Sequence, residues 1–106
     1  MEEKKYTEMD LIELTNILDN YVIHAIGELD RLLKFKYYED WKSCFTVPEQ
    51  RNIILAAYQL RMGLHKLDER YPVIAEHIRE AHRPTIERME KCIRLNQANK
   101  KDELAF

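Results

Sequence analysis

The side chains able to do chemistry are few and scattered. His24 precedes Glu28 by four positions and His65 precedes Glu69 by four, so on helices each pair shares a face. Inward-facing helical His and carboxylate ligands hold di-iron centres in bundles. Here His24 lies at the edge of an apolar stripe and His65 well away from one, so both read as solvent-facing. Only His82 points to a core, with no carboxylate near it in phase. No metal site and no cofactor is expected. Nucleophiles fare no better. Cys44 has Lys42 nearby but no histidine in fixed relation, Ser43 lacks a base, and no glycine-rich phosphate loop exists. Gly27 and Gly63 stand alone within helical patterns, where an isolated glycine usually marks close packing. Cys44 and Cys92 match no metal or redox spacing. Both are expected as free thiols of a cytoplasmic protein.

Three constellations point to known families. Arg70 and His77 form an Arg-x6-His pairing that resembles the active motif of HEPN-type ribonucleases, which implies an arginine and a histidine converging on a phosphate across a dimer. Tyr71-Pro72 interrupts the helix inside that motif. Lys34, Lys36, Lys42 and Arg51 surround Tyr37, Tyr38 and Trp41, and aromatic faces flanked by cations are how single strands are held. The set is similar to small helical subunits of RNA-guided effector complexes, although Glu39 and Asp40 dilute its field. Finally, Pro48-x-x-Arg51-x-x-x-Leu55-Ala56-x-x-x-Leu60 resembles a helical-hairpin segment of phage proteins that sequester cyclic-nucleotide immune signals. Ala57, Tyr58 and Gln59 follow where that family's threonine-lysine and tryptophan are expected, so no ligand residue carries over.

The elements that would position these groups are helices. Of 106 residues, 45% are apolar and 34% charged, with two glycines and three prolines, the makeup of long helices in one domain. A formal charge of −2 gives no basic field for nucleic acid or membrane. No apolar run approaches the ~18–20 residues that span a bilayer. Lys101 to Leu104 mimics an ER-retention signal but is followed by Ala105-Phe106.

Helix one is expected over residues 7–35, opened by a capping box at Thr7 and Asp10. Its stripe runs through Leu11, Leu14, Leu18, Tyr21 or Val22, Ala25, Leu29 and Leu32, is widened by Ile17, Ile26 and Leu33, and has Ile12 and Ile23 together on a flank. Helix two, residues 47–70, opens with a second box at Thr46 and Glu49 and has Pro48 in its first turn. Its core stripe is Ile53, Ala57, Leu60, Leu64 and Leu67, yet Ile54, Leu55, Tyr58 and Met62 are apolar on the opposite side. Helix three covers residues 73–98, kinked near Pro84 and followed by a polar tail, residues 99–106. It carries Glu87–Lys91 and Glu90–Arg94 in the favourable order. The predicted fold is all-α: an antiparallel up-down-up bundle of three long helices. The aromatic connector from Phe35 to Phe45 reads as a plug over Cys92 and Ile93.

One apolar face suffices for a surface helix in a small bundle. Helix two has two. The excess (Ile54, Leu55, Tyr58 and Met62, with Ile12, Ile23, Tyr37, Tyr38 and Trp41 at its edges) predicts an interface. The leading expectation is a small non-enzymatic interaction protein: a homo-oligomer, or an inhibitor or adaptor of another protein, in the style of a phage or mobile-element regulator. Nucleic-acid association, nucleotide sequestration and HEPN-like RNA cleavage are the alternatives.

Overall fold

The first described helix is not wound evenly. The computed structural model describes residues 7–33 and 45–104, with the backbone alone for 99–104. The first helix comprises α1 (Glu8–Ile17), a wide π segment (Leu18–Ile23) and α2 (His24–Leu33), with helical dihedrals through both junctions. Then come α3 (Val47–Arg70), α4 (Pro72–Ala81) and α5 (Arg83–Leu104). The described residues contain no strand. Among them, no helix is long and apolar enough to cross a membrane. The course of helix one past residue 33, Lys34 to Cys44 of the connector, the Leu104 side chain and Phe106 lie outside the described residues or side chains.

Both expected capping boxes are formed. Asp10 N–H donates to Thr7 Oγ1 at 3.1 Å, and the Thr7 N–H returns to Asp10 Oδ2 at 2.9 Å. Glu49 N–H donates to Thr46 Oγ1 at 3.3 Å, with Thr46 N–H on Glu49 Oε1 at 3.0 Å. Each box satisfies two N–H groups that a helix start leaves orphaned.

The π segment changes which side of α1 meets the core. A π turn holds more residues than an α turn, so residues before it are displaced relative to those after it by about the 100° of one residue. Leu11, central to the evenly wound stripe, is 52% exposed, while Ile17 is buried. Val22 is buried within the π segment, and beyond it Ala25, Ile26, Leu29, Leu32 and Leu33 are buried in good phase. Ile12 and Ile23 are both exposed, but they line different hollows.

α3 presents Ile53, Ala57, Leu60, Leu64 and Leu67 to the core, as its periodicity predicts, and Gly63 is buried beside them. Gly63 lies against the π segment: a Cβ there would stand 2.6 Å from Tyr21 Cβ and 3.0 Å from Val22 Cγ2. At this level the Gln59 amide also donates to the Asn20 carbonyl. Gly27 differs: it is exposed, with nothing within 4 Å of a Cβ built on it. The close-packing expectation holds for Gly63 and fails for Gly27.

Tyr71 ends α3 with φ −133° and ψ 54°, and Pro72 starts α4. The Tyr71 ring is buried, and its hydroxyl donates to the Asp10 carbonyl at 3.1 Å. The next interruption falls at His82, with φ −118° and ψ 26°, two residues before Pro84. Pro84 has no N–H for the Glu80 carbonyl, and its ring crowds that carbonyl, so the chain steps sideways one turn earlier. Ile86 N–H still bonds the His82 carbonyl at 3.0 Å, which keeps the path helical. Thr85, Met89, Cys92 and Ile93 carry the buried side onward. α5 continues as helix to Leu104, through the stretch expected as a tail.

Contacts between elements run in reversed order along α1–α2 and α3. Asp10 meets Arg70, Asn20 meets Gln59, and Tyr21 meets Gly63. Along α3, Asp68 meets Arg79 and Arg61 meets Glu90. The buried Thr85 hydroxyl donates to Asp30 of α2. Glu90 therefore bridges to Arg61 across helices.

Candidate interaction surface

The outer face of α3 leaves a row of large apolar side chains in water. Leu55, Tyr58 and Met62 recur at three and four residues, so they share a side that points away from Ile53, Leu60 and Leu67. They are 61%, 49% and 52% exposed. Ile54 is not among them: it is half-buried and packs against the core. The capping box at Thr46 and the absence of a breaker through Arg70 keep α3 regular, and its core stripe holds this face outward.

A shallow hollow on the α2 side of the face joins His24 and Glu28 to Asn52 and Leu55. A second, lined by helix one alone, joins His24 and Glu28 to Ile23 and Gly27. The connector residues Tyr37, Tyr38 and Trp41 lie outside the described residues. Other large exposed apolar side chains, Met9, Val47 and Val73, carried no sequence signal beyond their type.

A groove of about 620 Å³ runs between α1 and the end of α3, with Met9, Ile12, Asn16, Lys66, Glu69 and Arg70 along it. Its cations are already engaged. Arg70 Nη2 donates to Asp10 Oδ1 at 2.7 Å, and its other nitrogen binds Glu13. The Lys66 ammonium sits 5.6 Å from the Tyr21 ring centroid, in cation–π range. An anionic ligand would compete with two carboxylates for the same guanidinium.

The chemistry-bearing residues stay apart. Arg70 is bound as above, and His77 is exposed on α4. Arg51 is exposed on α3; Lys34, Lys36 and Lys42 are outside the described residues. His65 Nε2 lies 3.4 Å from Glu69 Oε1 on the solvent side, His24 is exposed, and His82 is half-buried at the helix break. Among the described residues no group of three or more His, Cys, Asp or Glu could hold a metal ion. Cys92 is a free, buried thiol, and burial pushes it up to about 12 against a weak opposing pull from Lys91. Arg79 donates two hydrogen bonds of 2.7 Å to Asp68, and these, with the guanidinium charge, hold that carboxyl below its usual range.

No family model matches the chain, and no curated protein or solved structure is significantly similar to it.

Proposed function

We propose that this protein is a small, non-enzymatic, cytoplasmic interaction module, an up-down-up bundle of three long helices that docks through the outer face of α3. The docked surface is a second copy of the chain or another protein that it inhibits or adapts, as a phage or mobile-element regulator would. The observation that carries this reading is the exposed row Leu55, Tyr58 and Met62, set opposite a complete core stripe on the same helix. Such residues are enriched at the centres of interfaces. Each is about half exposed, so covering it is worth roughly 1 kcal/mol, and the row contributes roughly 3 kcal/mol per copy. Association costs several kcal/mol, which places a docking limited to this row among weak, reversible ones.

The engaged state of Arg70 supports this reading over a nuclease. The mixed charges around the groove support it over a nucleotide or RNA site. The test is sedimentation equilibrium of the wild type and of the Tyr58→Asp/Met62→Glu variant. The expected result is concentration-dependent association in the wild type and a helical monomer in the variant. A variant that loses its helicity would show these residues to be core and would refute the reading.

A further inference from the structure

The outer face of α3 repeats at alternating steps of four and three: Arg51, Leu55, Tyr58, Met62, His65 and Glu69. This is the spacing of a seam along which a second helix packs side by side. All six residues are exposed. The apolar ones hold the middle, and the two ends carry opposite charge. Such an order is complementary to its own reverse. In a parallel pair each residue meets its own counterpart, so Arg51 faces Arg51 and Glu69 faces Glu69. An antiparallel pair sets the two kinds of seam position against each other. One register then uses all six residues: Arg51 against Glu69, Tyr58 against Met62, and Leu55 against His65, each occurring twice about a two-fold axis. A shift of seven residues sets Arg51 against Met62 and leaves Glu69 beyond the seam.

We propose that the occupant of this face is a second copy of the chain, packed antiparallel along α3 with Arg51 of each copy paired to Glu69 of the other. The proposal rests on the reading of this face as a docking surface and names its partner and register. Charge complementarity selects the orientation, because the parallel arrangement places like charges at both ends. Burial of Leu55, Tyr58 and Met62 supplies the attraction.

Charge exchange tests it, with dimer affinity read by sedimentation equilibrium in reducing buffer and helicity checked by circular dichroism. Arg51→Glu alone and Glu69→Arg alone each replace two attractive meetings by two repulsive ones. Each should weaken the dimer about tenfold or more. Glu69→Arg also removes the exposed contact to His65 within the chain, a small effect. Arg51→Glu/Glu69→Arg should recover wild-type affinity to within about threefold. Additive losses with no recovery would overturn the register. If Tyr58→Asp/Met62→Glu still abolished that dimer, the docking surface would stand without this geometry. A wild type that stays monomeric at every concentration would overturn the second copy as occupant.

Discussion

Gly27 and Gly63 offer the same substitution at two helix-interior sites whose surroundings differ, and replacing each by alanine should move stability in opposite directions. Alanine in a helix interior gains roughly 0.5–1 kcal/mol over glycine through backbone entropy. At Gly27 nothing lies within 4 Å of the new methyl group, so that gain should appear undiminished. At Gly63 the methyl group would stand 2.6 Å from Tyr21 Cβ, about an ångström inside the ~3.5–4.0 Å optimum for carbon atoms. Tyr21 Cβ is one bond from the backbone and cannot swing aside. The π segment and α3 would have to separate, loosening the packing of buried Val22 and Leu60. Overpacking of this kind costs typically ~1–3 kcal/mol. Subtracting the helix gain leaves Gly63→Ala destabilised by about 1 kcal/mol at the centre of a range of ~0–2.5 kcal/mol, a central fall in Tm of roughly 5 °C for a domain of this size. Gly27→Ala should rise by a few degrees. Urea unfolding followed by far-ultraviolet circular dichroism, at one low protein concentration, measures both, with the slope m unchanged if only stability moves. Equal stabilisation of the two variants would refute the close approach of α3 to the π segment.

Two further outcomes follow from the buried polar contact and the buried thiol. Thr85→Val keeps the shape of a buried residue but removes the hydroxyl that donates to Asp30, and should cost about 1–2 kcal/mol in the same urea assay; a change below about 0.5 kcal/mol would show that bond to be dispensable. The Cys92 thiol, raised from 9.0 to about 12 chiefly by burial, stays neutral in the fold while the unfolded chain ionises, so its contribution is complete below pH 9 and is lost as pH rises from about 9 toward 12. In a Cys44→Ser background, labelling of Cys92 by a disulfide reagent at pH 8 should therefore follow global unfolding, and reaction at the rate of an open thiol would contradict its burial.

Local chemistry accounts for much of what could be read from the chain. Thr7 with Asp10 and Thr46 with Glu49 need only neighbours three residues away, so their boxes were legible before any packing was known. The core stripe of α3, and the apolar row opposite it, follow from even winding over an uninterrupted helix. The three- and four-residue recurrence of Thr85, Met89, Cys92 and Ile93 is visible in the chain in the same way, and these residues lie inward despite the break at His82, because the helical path resumes with its phase little changed.

Where tertiary contact decides, the same rules fall short. A constant 100° per residue places Leu11 in the core and joins Ile12 to Ile23; the π segment breaks that count, and no residue type in Leu18–Ile23 announces it. Gly27 and Gly63 look alike as isolated helix glycines, and only the approach of a second helix separates them. Glu90 could face Arg94 one turn on, but α3 brings Arg61 to it instead. The sequence by itself determined where helices begin and which faces are apolar, because those depend on neighbours within one turn. The fold decided which apolar faces stay in water, since that depends on how closely one helix can approach another.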